Sequence, residues 1–168
     1  MSNNESLTYA PVLGQLLLDH GLMFACAESC TGGLLAAAMT DTPGSSQWFD
    51  RGFVTYSNAA KAEELQVSID TLERFGAVSE ETAMEMASGV LTVAAPAHIA
   101  ISTTGIAGPD GGTPGKPVGM VCFGFARRTS EGIVTRAMTK VFEGDRRQIR
   151  NASVAFALET AISFIELR

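Results

Sequence analysis

The order of the predicted strands and helices constrains the fold of this chain most strongly. Apolar, strand-like runs at 22–27, 53–56 and 97–103 are separated by segments with helical periodicity. The last two predicted strands, 118–127 and 133–142, instead follow one another across a short turn. Strands that alternate with helices form parallel sheets, and adjoining strands form antiparallel pairs. The sequence therefore predicts an α/β fold, layered α/β/α, with a mixed sheet of about five strands that is mostly parallel and partly antiparallel.

Length, charge and cysteine content narrow the class of protein. The 168 residues contain no recognisable linker, repeat or low-complexity tract and are predicted to form a single domain over residues 1–168. The formal charge of −6 argues against nucleic acid as a partner, because phosphate backbones are bound mainly by Lys and Arg. The three cysteines lack metal-ligand spacing, and no secretory signal or membrane span is recognised. We expect a cytoplasmic protein without metal or cofactor.

A serine at a predicted strand-to-helix turn is the first candidate for chemistry. In the segment Ala25–Gly33 (ACAESCTGG), an apolar run stops at Glu28, and Ser29 and two glycines precede a helix predicted to start near Thr31. The main-chain N–H groups at the start of a helix lack intrahelical partners and can hold an oxyanion. Ser29 is therefore a candidate nucleophile. The alternative is that its hydroxyl only caps the helix.

The base that would activate Ser29 is predicted to be a lysine. His20 and His98 belong to no recognisable triad, and structural roles are expected for both. Lys61 lies among alanines, and burial lowers the pKa of an amine towards neutrality. Tyr56, at the end of a predicted strand, could bridge the serine hydroxyl and the amine. The alternatives are a surface lysine and a tyrosine at the rim of the fold.

A glycine-rich loop at 105–117 is predicted to contribute to the same site. It leaves the carboxyl end of a predicted strand, where α/β sheets usually bind ligands, and its N–H groups can hold an anion. The loop does not match a phosphate-binding P-loop, because Asp110 and Pro117 replace required residues. Arg51, Arg146 and Arg147 are candidate phosphate anchors.

Five ordered sequence blocks resemble one family, the CinA carboxy-terminal domain, over nearly the whole chain. The matching segments are Ala27–Gly33, Pro43–Ser46, Arg51–Asn58 together with Lys61, Gly76–Ser79, and Thr104–Gly112 together with Lys116–Gly119. The resemblance implies nicotinamide-nucleotide amidase activity in pyridine-nucleotide salvage: nicotinamide mononucleotide is hydrolysed to nicotinate mononucleotide and ammonia. Longer members carry a further domain that resembles molybdopterin-binding proteins, and this chain resembles the stand-alone amidase.

The resemblance also implies site residues. The family's serine–tyrosine–lysine catalytic set falls on Ser29, Tyr56 and Lys61. The residues expected to contact substrate are Cys30, Thr31, Gly32, Gly33, Ser46, Arg51, Asn58, Thr104, Gly105, Ala107, Gly108 and Arg147. The expected partner is the small-molecule substrate, and a homo-oligomer that completes the pocket is also expected.

Three other functions stay open at this point. The chain could be a non-catalytic nucleotide-sensing or competence/damage-response module, or a hydrolase of another small amide. It could also be a cysteine hydrolase that uses Cys30, since a thiol is intrinsically the better nucleophile.

Overall fold

Five strands form one mixed sheet at the centre of the molecule. The computed structural model describes residues 4–166. Its strands are β1 (Phe24–Glu28), β2 (Phe49–Val54), β3 (Ile99–Gly105), β4 (Met120–Thr129) and β5 (Gly132–Val141), in the sheet order β2-β1-β3-β4-β5. β1 pairs in parallel with β2 and β3, whereas β4 runs antiparallel to β3 and β5. The predicted mixed five-stranded sheet is confirmed, with two parallel and two antiparallel pairings.

Helices cover both faces of this sheet. They are α1 (Asn4–Asp19), α2 (Leu34–Thr40), α3 (Asn58–Leu65), α4 (Ile69–Phe75), α5 (Glu80–Val93) and α6 (Arg146–Glu166). One apolar core lies between the sheet and α1, α2 and α6, and a second lies between the sheet and the helices α3 to α5. The layered α/β/α arrangement is therefore confirmed. Within residues 4–166, no helix combines the length and the apolar character needed to cross a bilayer.

Two element boundaries differ from the sequence prediction and affect the site. β2 begins at Phe49 rather than at residue 53, because its pairing with β1 starts at Phe24. This pairing draws Asp50 and Gly52, which are poor strand formers, into the sheet together with Arg51. α2 begins three residues later than predicted, since the intervening residues form a turn. Leu167, the predicted end of the last helix, lies outside the described residues.

Candidate active site

The turn between β1 and α2, residues 29–33, presents Ser29 at the carboxyl end of the sheet; we call it the serine turn. The Ser29 N–H donates to the Thr103 carbonyl oxygen at 2.9 Å, which ties the turn to the neighbouring strand β3. The Gly32 N–H donates to the Ser29 carbonyl oxygen at 3.1 Å. Gly32 and Gly33 have φ angles of 55° and 105°, a region that disfavours side chains with a Cβ. The two glycines therefore allow the reversal that exposes the serine to the cavity described below.

Glu28, rather than Ser29, caps α2. The Glu28 carboxylate is fully buried and accepts hydrogen bonds from the N–H groups of Leu35, at 2.7 Å, and Ala36, at 3.1 Å. It also accepts a bond from the Thr31 hydroxyl at 2.6 Å. A carboxylate is well suited to the positive end of a helix dipole. The alternative role for Ser29, a simple helix cap, is wrong because the helix N–H groups already have this acceptor.

Lys61 lies in direct contact with Ser29. Its Nζ is 3.0 Å from Ser29 Oγ, and the two residues are 1% and 8% exposed. The amine also donates to the main-chain carbonyl oxygens of Thr55, at 2.9 Å, and Tyr56, at 3.4 Å. Among the described residues, no carboxylate forms an ion pair with it. The lysine therefore points into the protein and is held against the serine hydroxyl.

The position of Lys61 follows from the start of α3. The Ser57 side chain caps this helix by accepting a hydrogen bond from the Ala60 N–H at 3.0 Å. Lys61 is the fourth residue of the helix, on the face that packs towards the end of β1. Burial lowers the pKa of the Lys61 amine, because desolvation disfavours the charged form. The neighbouring Cys30 has the opposite, smaller effect. Burial thus favours the neutral amine, the form that can accept a proton.

The Tyr56 side chain occupies a different position from the one expected of a proton relay. Its main-chain carbonyl oxygen, not its hydroxyl, lies 3.4 Å from both Ser29 Oγ and Lys61 Nζ. The side chain is 60% exposed, and its hydroxyl accepts a hydrogen bond from Arg146 Nη2 at 3.1 Å. The contact between Ser29 and Lys61 therefore needs no bridging phenol.

A cavity of about 280 Å³ opens above Ser29 and Lys61. Its walls come from the serine turn, the segment that precedes α3, the residues before α5, the loop after β3 and the start of α6. The lining residues are Ser29, Cys30, Tyr56, Lys61, Ala77, Val78, Thr104, Gly105, Ile106, Ala107, Gly108, Asp110, Gly111 and Arg146. Thr31, Gly32 and Gly33, also expected near substrate, follow Cys30 in the serine turn but are not themselves part of this lining. The cavity is large enough for a small molecule.

Besides Thr31, Gly32 and Gly33, four further residues that were expected to contact substrate are not part of this lining: Ser46, Arg51, Asn58 and Arg147. Ser46 precedes β2 in a short 3₁₀ turn, and Arg51 lies early in that strand, opposite Ala25. Because β2 is parallel to β1, its first residues lie towards the end of the sheet opposite Ser29. Arg51 forms an ion pair with Asp50. Asn58 and Arg147 are exposed at the first turns of α3 and α6.

Arg146 is the arginine that reaches the cavity. Its Nη1 donates to the Gly108 carbonyl oxygen at 2.6 Å, and its Nη2 contacts the Tyr56 hydroxyl. The guanidinium thereby joins α6 to the glycine-rich loop and to the segment before α3. The sequence shows two adjacent arginines, Arg146 and Arg147. Successive residues of a helix point about 100° apart, so only one of the two can face the cavity. The sequence alone did not show which one, because it does not fix the rotation of α6 about its axis.

The Cys30 thiol is an unfavourable nucleophile. The residue is 6% exposed, and burial, assisted by the Glu28 carboxylate, raises the pKa of its thiol to about 11. A main-chain N–H and the charges of Arg150 and Lys61 oppose this rise without cancelling it. Since the thiolate is the reactive form, such a thiol is almost wholly unreactive near neutral pH. The hydroxyl beside a buried amine is the better-prepared group in this cavity.

Comparison with known proteins agrees with this architecture. The model of the CinA C-terminal domain matches residues 7–165. A nicotinamide-nucleotide amidohydrolase PncC of Enterobacter agglomerans is 57% identical over 150 residues, 89% of each chain. The PncC of Escherichia coli K12 is 49% identical, over 95% of this chain and 94% of its own. A crystal structure of the competence/damage inducible protein CihA from Agrobacterium tumefaciens superposes with a TM-score of 0.87 at 43% identity, over 95% of this chain and 94% of that one. The chain belongs to the CinA C-terminal domain family.

Proposed function

We propose that this protein is a nicotinamide-nucleotide amidohydrolase, which converts nicotinamide mononucleotide and water into nicotinate mononucleotide and ammonia. The observation that carries the proposal is the 3.0 Å contact between Ser29 Oγ and a buried Lys61 amine whose pKa is lowered. A hydroxyl beside a neutral amine is an activated nucleophile that needs no histidine. The names of the PncC relatives supply the substrate.

In the first half of the proposed reaction, neutral Lys61 accepts the proton of the Ser29 hydroxyl as Oγ attacks the carboxamide carbon. The resulting tetrahedral oxyanion is held by main-chain N–H groups of the serine turn. Lys61 then returns the proton to the departing nitrogen, so that ammonia leaves and a nicotinoyl ester remains on Ser29.

In the second half, water enters the space that ammonia has left. Lys61 accepts a proton from this water, whose oxygen attacks the ester carbon. The acyl–oxygen bond breaks, Ser29 Oγ regains a proton from Lys61, and nicotinate mononucleotide departs. The overall change is the addition of one water and the release of one ammonia, with the enzyme restored.

We assign the remaining cavity residues to substrate binding. Arg146 is the guanidinium at the wall and would hold the 5′-phosphate, because guanidinium groups bind phosphate through paired charge-assisted hydrogen bonds. The Thr104–Gly108 segment would contact the ribose. Tyr56 would contribute its carbonyl oxygen to hold Lys61 and its hydroxyl to orient Arg146. Ser46 and Arg51 lie towards the other end of the sheet, so a contribution from either would require a second copy of the chain, consistent with the expected homo-oligomer.

The direct test is ammonia release from nicotinamide mononucleotide, with nicotinate mononucleotide identified by mass spectrometry. We expect turnover by the wild type and its loss, by at least about 10³-fold, in Ser29→Ala. Ser153→Ala, in which the altered residue lies within α6, is a matched control. Binding of the nucleotide without turnover would instead favour a sensing module, and activity that survives in Ser29→Ala would remove the serine from its role.

The expected location in the cytoplasm is part of the proposal. Cys26, Cys30 and Cys122 are all free thiols. Free thiols agree with a reducing intracellular compartment.

A further inference from the structure

Arg150, on α6, holds the side of the serine turn that faces that helix. Its Nε donates to the carbonyl oxygen of Cys30 at 3.1 Å, and its Nη2 donates to that of Thr31 at 3.2 Å. A Cβ added at Gly32 would lie 3.2 Å from Arg150 Nη2, so that even an alanine would crowd this contact. One guanidinium thus fixes two successive carbonyl groups directly after Ser29.

The direction of these carbonyl groups sets the direction of the N–H groups in the same peptides. In a trans peptide, C=O and N–H point to opposite sides. The Gly32 N–H, which shares a peptide with the Thr31 carbonyl, donates its hydrogen bond to the Ser29 carbonyl oxygen. The Thr31 N–H shares a peptide with the Cys30 carbonyl and has no acceptor among the described residues. It is therefore an available donor that points away from Arg150.

Arg150 also places a positive charge behind the turn. It is half-buried, and within residues 4–166 no carboxylate forms an ion pair with it. Burial is the main influence on the pKa of Cys30 and raises it, the Glu28 carboxylate raises it further, and the charge of Arg150 offsets part of this rise. The field of the guanidinium therefore reaches the residue next to Ser29 and opposes the field of Glu28 there.

We propose that Arg150 is a positioning residue for the reaction at Ser29. It orients the Cys30–Thr31 peptide so that the Thr31 N–H donates to the oxyanion that develops when Ser29 attacks a carbonyl carbon. The substrate in this statement rests on the proposed function, but the orientation itself requires only a serine nucleophile. Removal of one oxyanion donor costs about 10²–10³ in kcat, so we expect about 10² for the loss of the residue that aims the donor.

The test compares Arg150→Ala and Arg150→Lys with wild type, and uses Arg136→Ala, which removes an exposed arginine of β5, as the matched control. With nicotinamide mononucleotide, we expect kcat to fall about 100-fold in Arg150→Ala while KM stays within about threefold. Arg150→Lys keeps the positive charge but lacks the planar guanidinium that donates to two carbonyl groups at once. Its kcat should therefore lie between those of Arg150→Ala and wild type. Added guanidinium ion should raise kcat of Arg150→Ala and leave Arg136→Ala unchanged.

A second readout needs no substrate: the rate at which a fluorophosphonate labels Ser29, whose adduct uses the same oxyanion donors. We expect this rate to fall in parallel with kcat, at an unchanged melting temperature. The proposal is overturned if kcat and the labelling rate of Arg150→Ala stay within threefold of wild type, or if only KM rises. If Arg150→Ala does not fold, Arg150→Lys decides by the same criteria. Labelling of a wild type that does not hydrolyse the nucleotide would refute the proposed substrate and leave the Arg150 comparison intact.

Discussion

Replacement of Glu28 by glutamine would change the charge of the α2 cap while preserving its size. In the wild type, one carboxylate oxygen accepts from the Thr31 hydroxyl and the Leu35 N–H, and the other accepts from the Ala36 N–H at 3.1 Å. A glutamine can keep its carbonyl oxygen towards the first pair. Its NH₂ group then faces the Ala36 N–H, so that two donors meet in a fully buried position.

The cost follows from the bonds that are changed. A charge-assisted hydrogen bond contributes about 1.5–3 kcal/mol, and the favourable interaction of a carboxylate with the helix dipole contributes about 0.3–1 kcal/mol. We therefore expect Glu28→Gln to lower the free energy of unfolding by about 2–4 kcal/mol.

Urea unfolding, followed by circular dichroism, measures this difference. Glu64→Gln removes the same charge from an exposed position of α3 and should stay within about 0.5 kcal/mol of wild type. If Glu28→Gln were as stable as this control, the reasoning that the carboxylate is the cap of α2 would be refuted.

Three further predictions concern side chains of the cavity. Cys30→Ala should keep at least a third of wild-type kcat. Iodoacetamide should label wild-type Cys30 only slowly at pH 7.5, because a pKa of about 11 leaves roughly 0.03% of the thiol as thiolate. Rapid labelling with loss of activity would contradict this prediction. Arg146→Ala should raise KM for nicotinamide mononucleotide about 10–100-fold and change KM for the phosphate-free riboside little. Arg147→Ala should raise KM for nicotinamide mononucleotide less than Arg146→Ala does. Equal effects of Arg146→Ala on both substrates would show that Arg146 does not bind the phosphate. Tyr56→Phe should lower kcat/KM about tenfold or less, because it removes the hydroxyl but not the main-chain carbonyl oxygen that contacts Lys61. A loss above 100-fold would instead support a role of the phenol as a proton relay.

The serine turn illustrates what the sequence could predict. A buried apolar strand, a small polar residue and two glycines are local signals, and they placed Ser29 correctly at the end of β1. Lys61 followed from chemical reasoning, because a serine without a usable histidine requires another base. The contact between Ser29 and Lys61 joins residues 32 apart in the chain and depends on the position of α3 beside the end of β1.

Features that depend on pairing and helix phase were not accessible in the same way. The early start of β2 comes from its parallel partner, and it is this start that carries Ser46 and Arg51 away from the cavity. The roles of Glu28 and Arg150 were missed because each acts on main-chain groups of another segment. A buried acidic residue directly before the turn was the one available signal for the cap.

The pH dependence of kcat/KM tests the central claim most directly, namely that neutral Lys61 activates Ser29. A protonated amine cannot accept the serine proton, so activity should fall as the pH falls through the pKa of Lys61. Because burial lowers this pKa, the limb should lie below the ordinary value of 10.5. Lys61→Arg keeps a cation that does not deprotonate and should be inactive throughout the range. An arginine variant with activity within tenfold of wild type, or one that retained the same limb, would contradict the account.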